Sequence, residues 1–152
     1  MDGRITRENL LRFLTEADRT FPVPLSEKQN LQTFADKLME LATLCVRFDG
    51  DSIVSLIAGY TENVQNGMGY MSVAATLPVA RGKGYAAALV QEFLQTARDK
   101  KLRGVHLYAV HENLPAMRMY AKLGFVPYVI ENEPRPDDAH LVYWFENEEE
   151  AK

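Results

Sequence analysis

The chain has 152 residues, the length of one domain, and a hydrophobic share of 47% that can fill a core without disulfide or metal staples. Its formal net charge of −4 points away from a nucleic-acid partner, which asks for a basic face. No apolar run reaches the ~20 residues of a membrane helix, and the opening Met1-Asp2-Gly3-Arg4-Ile5-Thr6-Arg7 has no apolar stretch behind it to act as a signal peptide. The one cysteine, Cys45, can form no intrachain disulfide, and its place in Leu44-Cys45-Val46 reads as a buried core thiol. No cysteine or histidine cluster has metal-ligand spacing, so no metal is expected. The expectation is a single cytoplasmic domain over residues 1–152, without membrane or nucleic-acid partner; a homodimer stays open.

The first third of the chain reads as helix. Thr6 can cap a segment carrying Leu10, Leu11, Phe13 and Leu14. After the stiff loop Phe21-Pro22-Val23-Pro24, Ser26 and Gln29 suggest a capping box, and Leu31, Phe34, Leu38 and Leu41 mark one helix face. The period then changes. Residues 44–48 and 52–60, joined at Asp49-Gly50-Asp51, read as a β-hairpin, and 69–77 as a third strand ended by Pro78. A helix follows over about 84–99, with Ala86, Leu89, Val90, Phe93, Leu94 and Ala97 as its apolar stripe. Residues 105–110 form the next strand, and Asn113 caps a short helix that stops at Gly124. Residues 125–130 and 140–145 are two closing strands. The acidic run from Glu146 to Glu150 reads as a frayed, flexible tail, with Glu148, Glu149 and Glu150 mobile and dispensable. The order α-α-β-β-β-α-β-α-β-β, with a right-handed parallel crossover in the middle and hairpins around it, predicts an α+β sandwich built on a mixed sheet.

The stretch with chemical content is Thr76-Leu77-Pro78-Val79-Ala80-Arg81-Gly82-Lys83-Gly84-Tyr85-Ala86, between a strand and a helix. Gly82 and Gly84 allow a tight backbone turn, the helix start presents N–H groups and a positive dipole end, and Arg81 and Lys83 add charge. Together these suit a phosphate or pyrophosphate. The loop is not that of a nucleoside triphosphatase, since Gly84 and not Ser or Thr follows Lys83. A dinucleotide fingerprint is also excluded by the missing third glycine.

A second segment, Leu107-Tyr108-Ala109-Val110-His111-Glu112-Asn113, leads to Ala116, Tyr120 and Leu123-Gly124-Phe125. With it the chain resembles the GCN5-related N-acetyltransferases. Arg81, Gly84 and Ala86 match that family's Gln/Arg-x-x-Gly-x-Gly/Ala loop, and Asn113, Ala116, Tyr120, Gly124 and Phe125 match its following segment. The likeness is good over about residues 68–128 and elsewhere holds in element order only.

The resemblance implies a mostly antiparallel central sheet with splayed parallel strands, helices on both faces, and acetyl-CoA as co-substrate. It implies that Ala74, Ala75 and Thr76 offer backbone groups to pantetheine. It further implies that Arg81, Gly82, Lys83, Gly84, Tyr85, Ala86 and Ala87 hold the pyrophosphate and that Asn113 reaches the pantetheine arm while capping its helix. Tyr120 would protonate the leaving thiolate. Some relatives place a glutamate as base where this chain has Tyr108, so the base is open among Tyr108, His111, Glu112, Tyr60 and water. By the same analogy the acceptor is lined by Phe21, Pro22 and Pro24 and by Glu131-Asn132-Glu133-Pro134-Arg135-Pro136-Asp137-Asp138, whose carboxylates suit a cationic amine. Most relatives also open with a strand that this chain lacks room for. The function implied is acetyl transfer to a primary amine of a small molecule. A protein or peptide N-acetyltransferase and a non-catalytic acyl-CoA sensor are the alternatives.

Overall fold

The computed structural model describes residues 3–21, 24–27 and 29–150. Pro22 and Val23 of the expected acceptor loop, the side chains of Glu149 and Glu150, and residues 151–152 lie outside this description. The elements are α1 (Arg7–Asp18), α2 (Leu31–Leu41), β1 (Thr43–Asp49), β2 (Ser52–Tyr60), β3 (Met68–Thr76), α3 (Tyr85–Asp99), β4 (Gly104–Ala109), α4 (Leu114–Leu123), β5 (Val126–Pro127), β6 (Ala139–Trp144) and α5 (Glu146–Glu150). The six strands form one mixed sheet in the order β1-β2-β3-β4-β6-β5. Among the described residues no strand precedes α1.

The chain divides into two compact units. The first takes α1, α2, β1, β2 up to Gly59, β3 from Val73 and α3 through Phe93. Its helices start where the side chains supply partners for free N–H groups. Thr6 accepts from the Asn9 backbone at 3.1 Å, and the Asn9 side chain returns the bond to Thr6 N–H at 2.8 Å, a complete capping box. The expected box at Ser26 and Gln29 does not form. Asn30 caps α2 instead, accepting from Thr33 N–H at 3.0 Å, while the Ser26 hydroxyl and N–H both turn to Asp18. Leu10, Phe13 and Leu14 from α1, Leu38 from α2, and Leu89, Val90 and Phe93 from α3 are fully or almost fully buried. β2 is buried from Ile53 through Gly59, as its near-continuous apolar run requires, and pairs antiparallel with β1. Cys45 on β1 is buried, and burial pushes its thiol up to about 11, so it is inert at neutral pH.

The second unit takes β3 up to Ser72, the end of α3 from Leu94, β4, α4, β5, β6 and α5. β4 runs parallel to β3 over four rungs, Met68–Met71 against Gly104–Leu107, and antiparallel to β6. Strand register sorts its side chains by face. Val105 and Leu107, opposite Tyr143 and Leu141, go to one side; His106 and Tyr108, opposite Val142 and His140, go to the other. At Gly104 a Cβ would sit 2.4 Å from the Tyr143 carbonyl oxygen, so the strand can start only with glycine.

Two details differ from expectation at the end of the chain. The strand expected over 125–130 is confined to Val126–Pro127, because Pro127 has no N–H to extend a ladder; one more bond, Tyr128 N–H to the His140 carbonyl at 2.8 Å, follows it. The acidic tail expected to be frayed forms α5. Glu148 accepts from Arg98 Nε at 2.8 Å and from the Tyr143 hydroxyl at 2.7 Å, and Arg98 Nη2 closes a bidentate pair.

Candidate active site

In the first unit, β3 ends at Thr76, whose hydroxyl lies 2.7 Å from that of Ser55 on β2. Leu77 N–H donates to the Val54 carbonyl at 2.9 Å, and a single 3₁₀ turn over Pro78–Ala80 leads into the loop. Gly82 and Gly84 have φ of +80° and +78°, in the left-handed region, and make the tight turn expected of them. A Cβ at either would meet no described atom within 4 Å, so the loop opens outward. Residues 81–84 are exposed, and Arg81 is the one steered inward: its Nε donates to the Thr76 carbonyl at 3.2 Å. Ala88 N–H closes the first turn of α3 onto the Gly84 carbonyl, so the N–H groups of Tyr85, Ala86 and Ala87 precede the intrahelical ladder. Outward-opening backbone, left-handed glycines and a helix start make a cradle that fits a pyrophosphate. Ala74 is exposed, and Ala75 is half-buried beside it on the strand.

In the second unit, Asn113 caps α4 by accepting from Ala116 N–H at 3.3 Å, and its side chain is exposed. Gly124 ends the helix at φ +109°. Tyr120 is 5% exposed, with its ring edge-on to Phe125 at 5.4 Å. Burial pushes its phenol up to about 12. It therefore stays protonated at neutral pH, as a proton donor must, and is a weaker acid than a free phenol.

The other face of β4 and β6 carries a cluster that sequence reasoning did not assemble. Glu133 accepts from the Tyr108 hydroxyl through Oε1 and lies 2.7 Å from His140 Nδ1 through Oε2. His140 Nε2 is in turn 2.8 Å from His106 Nδ1. Arg135 N–H donates to Glu133 at 3.1 Å, and the Arg135 guanidinium stands 4.8 Å above the Tyr108 ring and pairs with Asp138. Tyr108 stacks on His140 at 4.1 Å, while Tyr70 and Tyr128 lie 5.0 and 5.9 Å from the His106 ring. Partial burial raises the Glu133 carboxyl, but the bonds from Tyr108, Arg135 and His140 outweigh it and hold it below its ordinary value. Burial pushes His106 down to about 4, helped by His140 and opposed by Glu133. Burial and then the bond to Glu133 push the Tyr108 phenol well above its ordinary value, which argues against Tyr108 as the base.

His111 and Glu112, the other named bases, are exposed in the turn before α4, and Tyr60 ends β2 with its hydroxyl buried. Glu133 alone among the acceptor-loop carboxylates is drawn into the cluster with His140. The signal for it lay in strand alternation, which puts His106 beside Tyr108, and in the antiparallel partner His140. Among the described residues no three His, Cys, Asp or Glu side chains converge as a metal site; the imidazoles of the cluster bond one another.

The sequence model of the acetyltransferase (GNAT) family matches residues 10–125, three quarters of the chain. The chain belongs to that family. Within it, mycothiol acetyltransferase of Actinosynnema mirum is 34% identical over 86 residues, 51% of this chain and 29% of that protein. Streptothricin acetyltransferase of Escherichia coli is 30% identical over 70 residues, 43% of this chain and 40% of that protein. The chain thus spans well under half the length of these curated relatives. Among solved structures, Naa50 of Arabidopsis thaliana, in complex with the bisubstrate analogue CoA-Ac-MVNAL, superposes with a TM-score of 0.71 at 24% identity, covering 95% of this chain and 97% of that one. That likeness carries the acetyltransferase (GNAT) fold.

Proposed function

We propose that the chain is an N-acetyltransferase that moves the acetyl group of acetyl-CoA directly to a primary amine of a small molecule, within a ternary complex. The observation that carries this reading is the loop at 81–87, where two left-handed glycines and a helix start leave N–H groups open to a pyrophosphate. In this reading Arg81, Gly82, Lys83, Gly84, Tyr85, Ala86 and Ala87 hold the pyrophosphate, Ala74, Ala75 and Thr76 give backbone partners to pantetheine, and Asn113 holds its arm. The amine attacks the thioester carbonyl, and Tyr120 returns a proton to the departing thiolate. Direct transfer is favoured because the one cysteine is buried, with its thiol held far from ionising, so no thioester on the protein is at hand.

A small acceptor is favoured over a peptide by one feature. The loop after β5 is folded down on the sheet by Glu133 and closed by the Arg135–Asp138 pair, which suits a closed pocket better than an open groove. Two relatives are named for the small molecules mycothiol and streptothricin, and the Naa50 structure holds an analogue with a peptide part, so the peptide reading is the second one. No described helix is long and apolar enough to cross a membrane. A cytoplasmic place is proposed because acetyl-CoA is the co-substrate. Thiol release from acetyl-CoA, measured against polyamines, amino acids, amino sugars, aminated drugs and short peptides, tests the reading. Turnover with a small amine and none with peptides supports it, and turnover with peptides alone overturns the acceptor class.

A further inference from the structure

The cluster in the second unit is a single chain of hydrogen bonds whose proton positions follow from its geometry. Glu133 is a carboxylate and can only accept. His140 Nδ1, 2.7 Å from Glu133 Oε2, therefore carries a hydrogen. With His140 neutral, its one N–H is spent on Glu133, so Nε2 holds a lone pair and His106 Nδ1, 2.8 Å away, donates to it. The same count leaves His106 Nε2 as a lone pair. Two imidazoles and a carboxylate thus stand in series with the basic nitrogen at the far end, among the rings of Tyr70 from β3, Tyr108 from β4 and Tyr128 after β5. His140 is buried and His106 and Glu133 are half-buried, so each polar group needs the partner it has here.

We propose that His106 is the proton acceptor for the attacking amine, working through His140 to Glu133 as a two-imidazole relay. The proposal rests on the acetyl-transfer reading above. As the new N–C bond forms, an N–H bond of the amine breaks and its proton bonds to His106 Nε2. The Nδ1 hydrogen of His106 passes to His140 Nε2, which lies in hydrogen-bond contact with it. His106 ends neutral with its hydrogen on the other nitrogen, and the positive charge rests on His140 against Glu133. His140 and Glu133 are positioning residues here: they fix which nitrogen of His106 is free and hold the charge it passes on. The groups facing this pair are Tyr70 and Tyr108 from the strands, Tyr128 after β5, Glu133 from the loop, and Arg135, whose guanidinium lies over Tyr108.

The test has a spectroscopic arm and a kinetic arm. Long-range proton–nitrogen correlation NMR on the wild-type protein at neutral pH reads the tautomers directly, and both histidines should carry hydrogen on Nδ1. In steady-state kinetics, His106→Gln should lower kcat by ~10–100-fold with CoA affinity unchanged. Glu133→Gln should lower it less and move the acid limb of kcat/KM to lower pH, because the imidazolium loses its anionic neighbour. Hydrogen on Nε2 of wild-type His106 overturns the proposal, as do wild-type kinetics at every pH in both variants. If His106→Gln does not fold, the tautomer measurement decides. A wild type that binds CoA but releases no thiol with any amine sinks the acetyl-transfer reading and this proposal with it. Normal wild-type turnover with an unaffected His106→Gln sinks the relay alone.

Discussion

The loop at 81–87 and the cluster around His140 are held by different means. In the loop the groups proposed to bind are backbone N–H, the two glycines are left-handed, and the Lys83 side chain stands in the open. In the cluster the groups proposed to act are side-chain atoms, and each is fixed by another: Tyr108 and His140 by Glu133, His106 by His140. A site made of backbone tolerates most side-chain changes and fails when φ is denied to it. A site made of linked side chains tolerates little, since removing one member frees its neighbours.

The largest effect that can break this contrast is a change of backbone in the loop. Gly84→Val puts a β-branched residue at φ +78°, where the obstacle is conformational, because no described atom lies within 4 Å of its Cβ. The strain is of order 1–3 kcal/mol. Relieving it turns N–H groups away from the pyrophosphate, and CoA affinity should fall by about 10–100-fold, the worth of one or two charge-assisted bonds. Lys83→Ala should cost less than about 5-fold, its side chain being exposed. Calorimetry with CoA checks both. A larger loss in Lys83→Ala than in Gly84→Val would reverse the contrast.

Tyr120→Phe comes next. The ring keeps its edge contact with Phe125, so the fold should hold. Because burial makes this phenol a weaker acid and thiolate is an easy leaving group, kcat should fall by only about 10-fold, with CoA binding unchanged. Rate measurements beside a CoA titration check it. Full activity would leave water as the donor.

The cluster should also show itself in stability against pH. His106 is held at about 4 in the folded chain against an ordinary 6.5, so the unfolded chain binds more protons between those values. Its contribution is present above pH 6.5 and is lost as pH falls toward 4. Glu133, held low, adds a loss in the same direction at still lower pH. The His106 part is roughly 1–2 kcal/mol once its partial exposure is discounted. Thermal melts from pH 7 to pH 4 should therefore fall more steeply in the wild type than in His106→Gln. Parallel curves would mean that His106 is not held neutral.

The same contrast accounts for what could be read before the structure. The loop is contiguous: Pro78, the two glycines and the helix stripe up to Ala97 follow one another along the chain, and each asks for a local conformation that sequence declares. The helix at Asn113 was legible for the same reason, since capping is local. The cluster draws Tyr70, His106, Tyr108, Glu133 and His140 from three strands and a loop, and only register brings them together. Alternation along 105–110 could have put His106 and Tyr108 on one face, but nothing local names the partner strand. The capping box at Ser26 was misread because Asn30, directly before Leu31, takes the cap while Ser26 is held by Asp18, and the tail because Glu148 is held by Arg98, 50 residues earlier.

The smallest effect sharpens the contrast from behind. Glu148 lies against Arg98 and Tyr143, and Tyr143 is on the face of β6 opposite to His140. Removing residues after Asn147 takes away a bidentate pair that is about a third exposed, together with the acceptor of the Tyr143 hydroxyl. Such partly exposed pairs contribute about 1 kcal/mol, so the melting temperature should drop by about 2–4 °C. Arg98 and Tyr143 then face water and are not left buried, which keeps the loss small. The truncated chain should keep the acid limb of its pH–rate profile and the tautomers of both histidines, since no bond of the cluster passes through Tyr143. A shifted acid limb in the truncated protein would mean that the two faces of β6 are coupled and that the cluster is not set by its own hydrogen bonds alone.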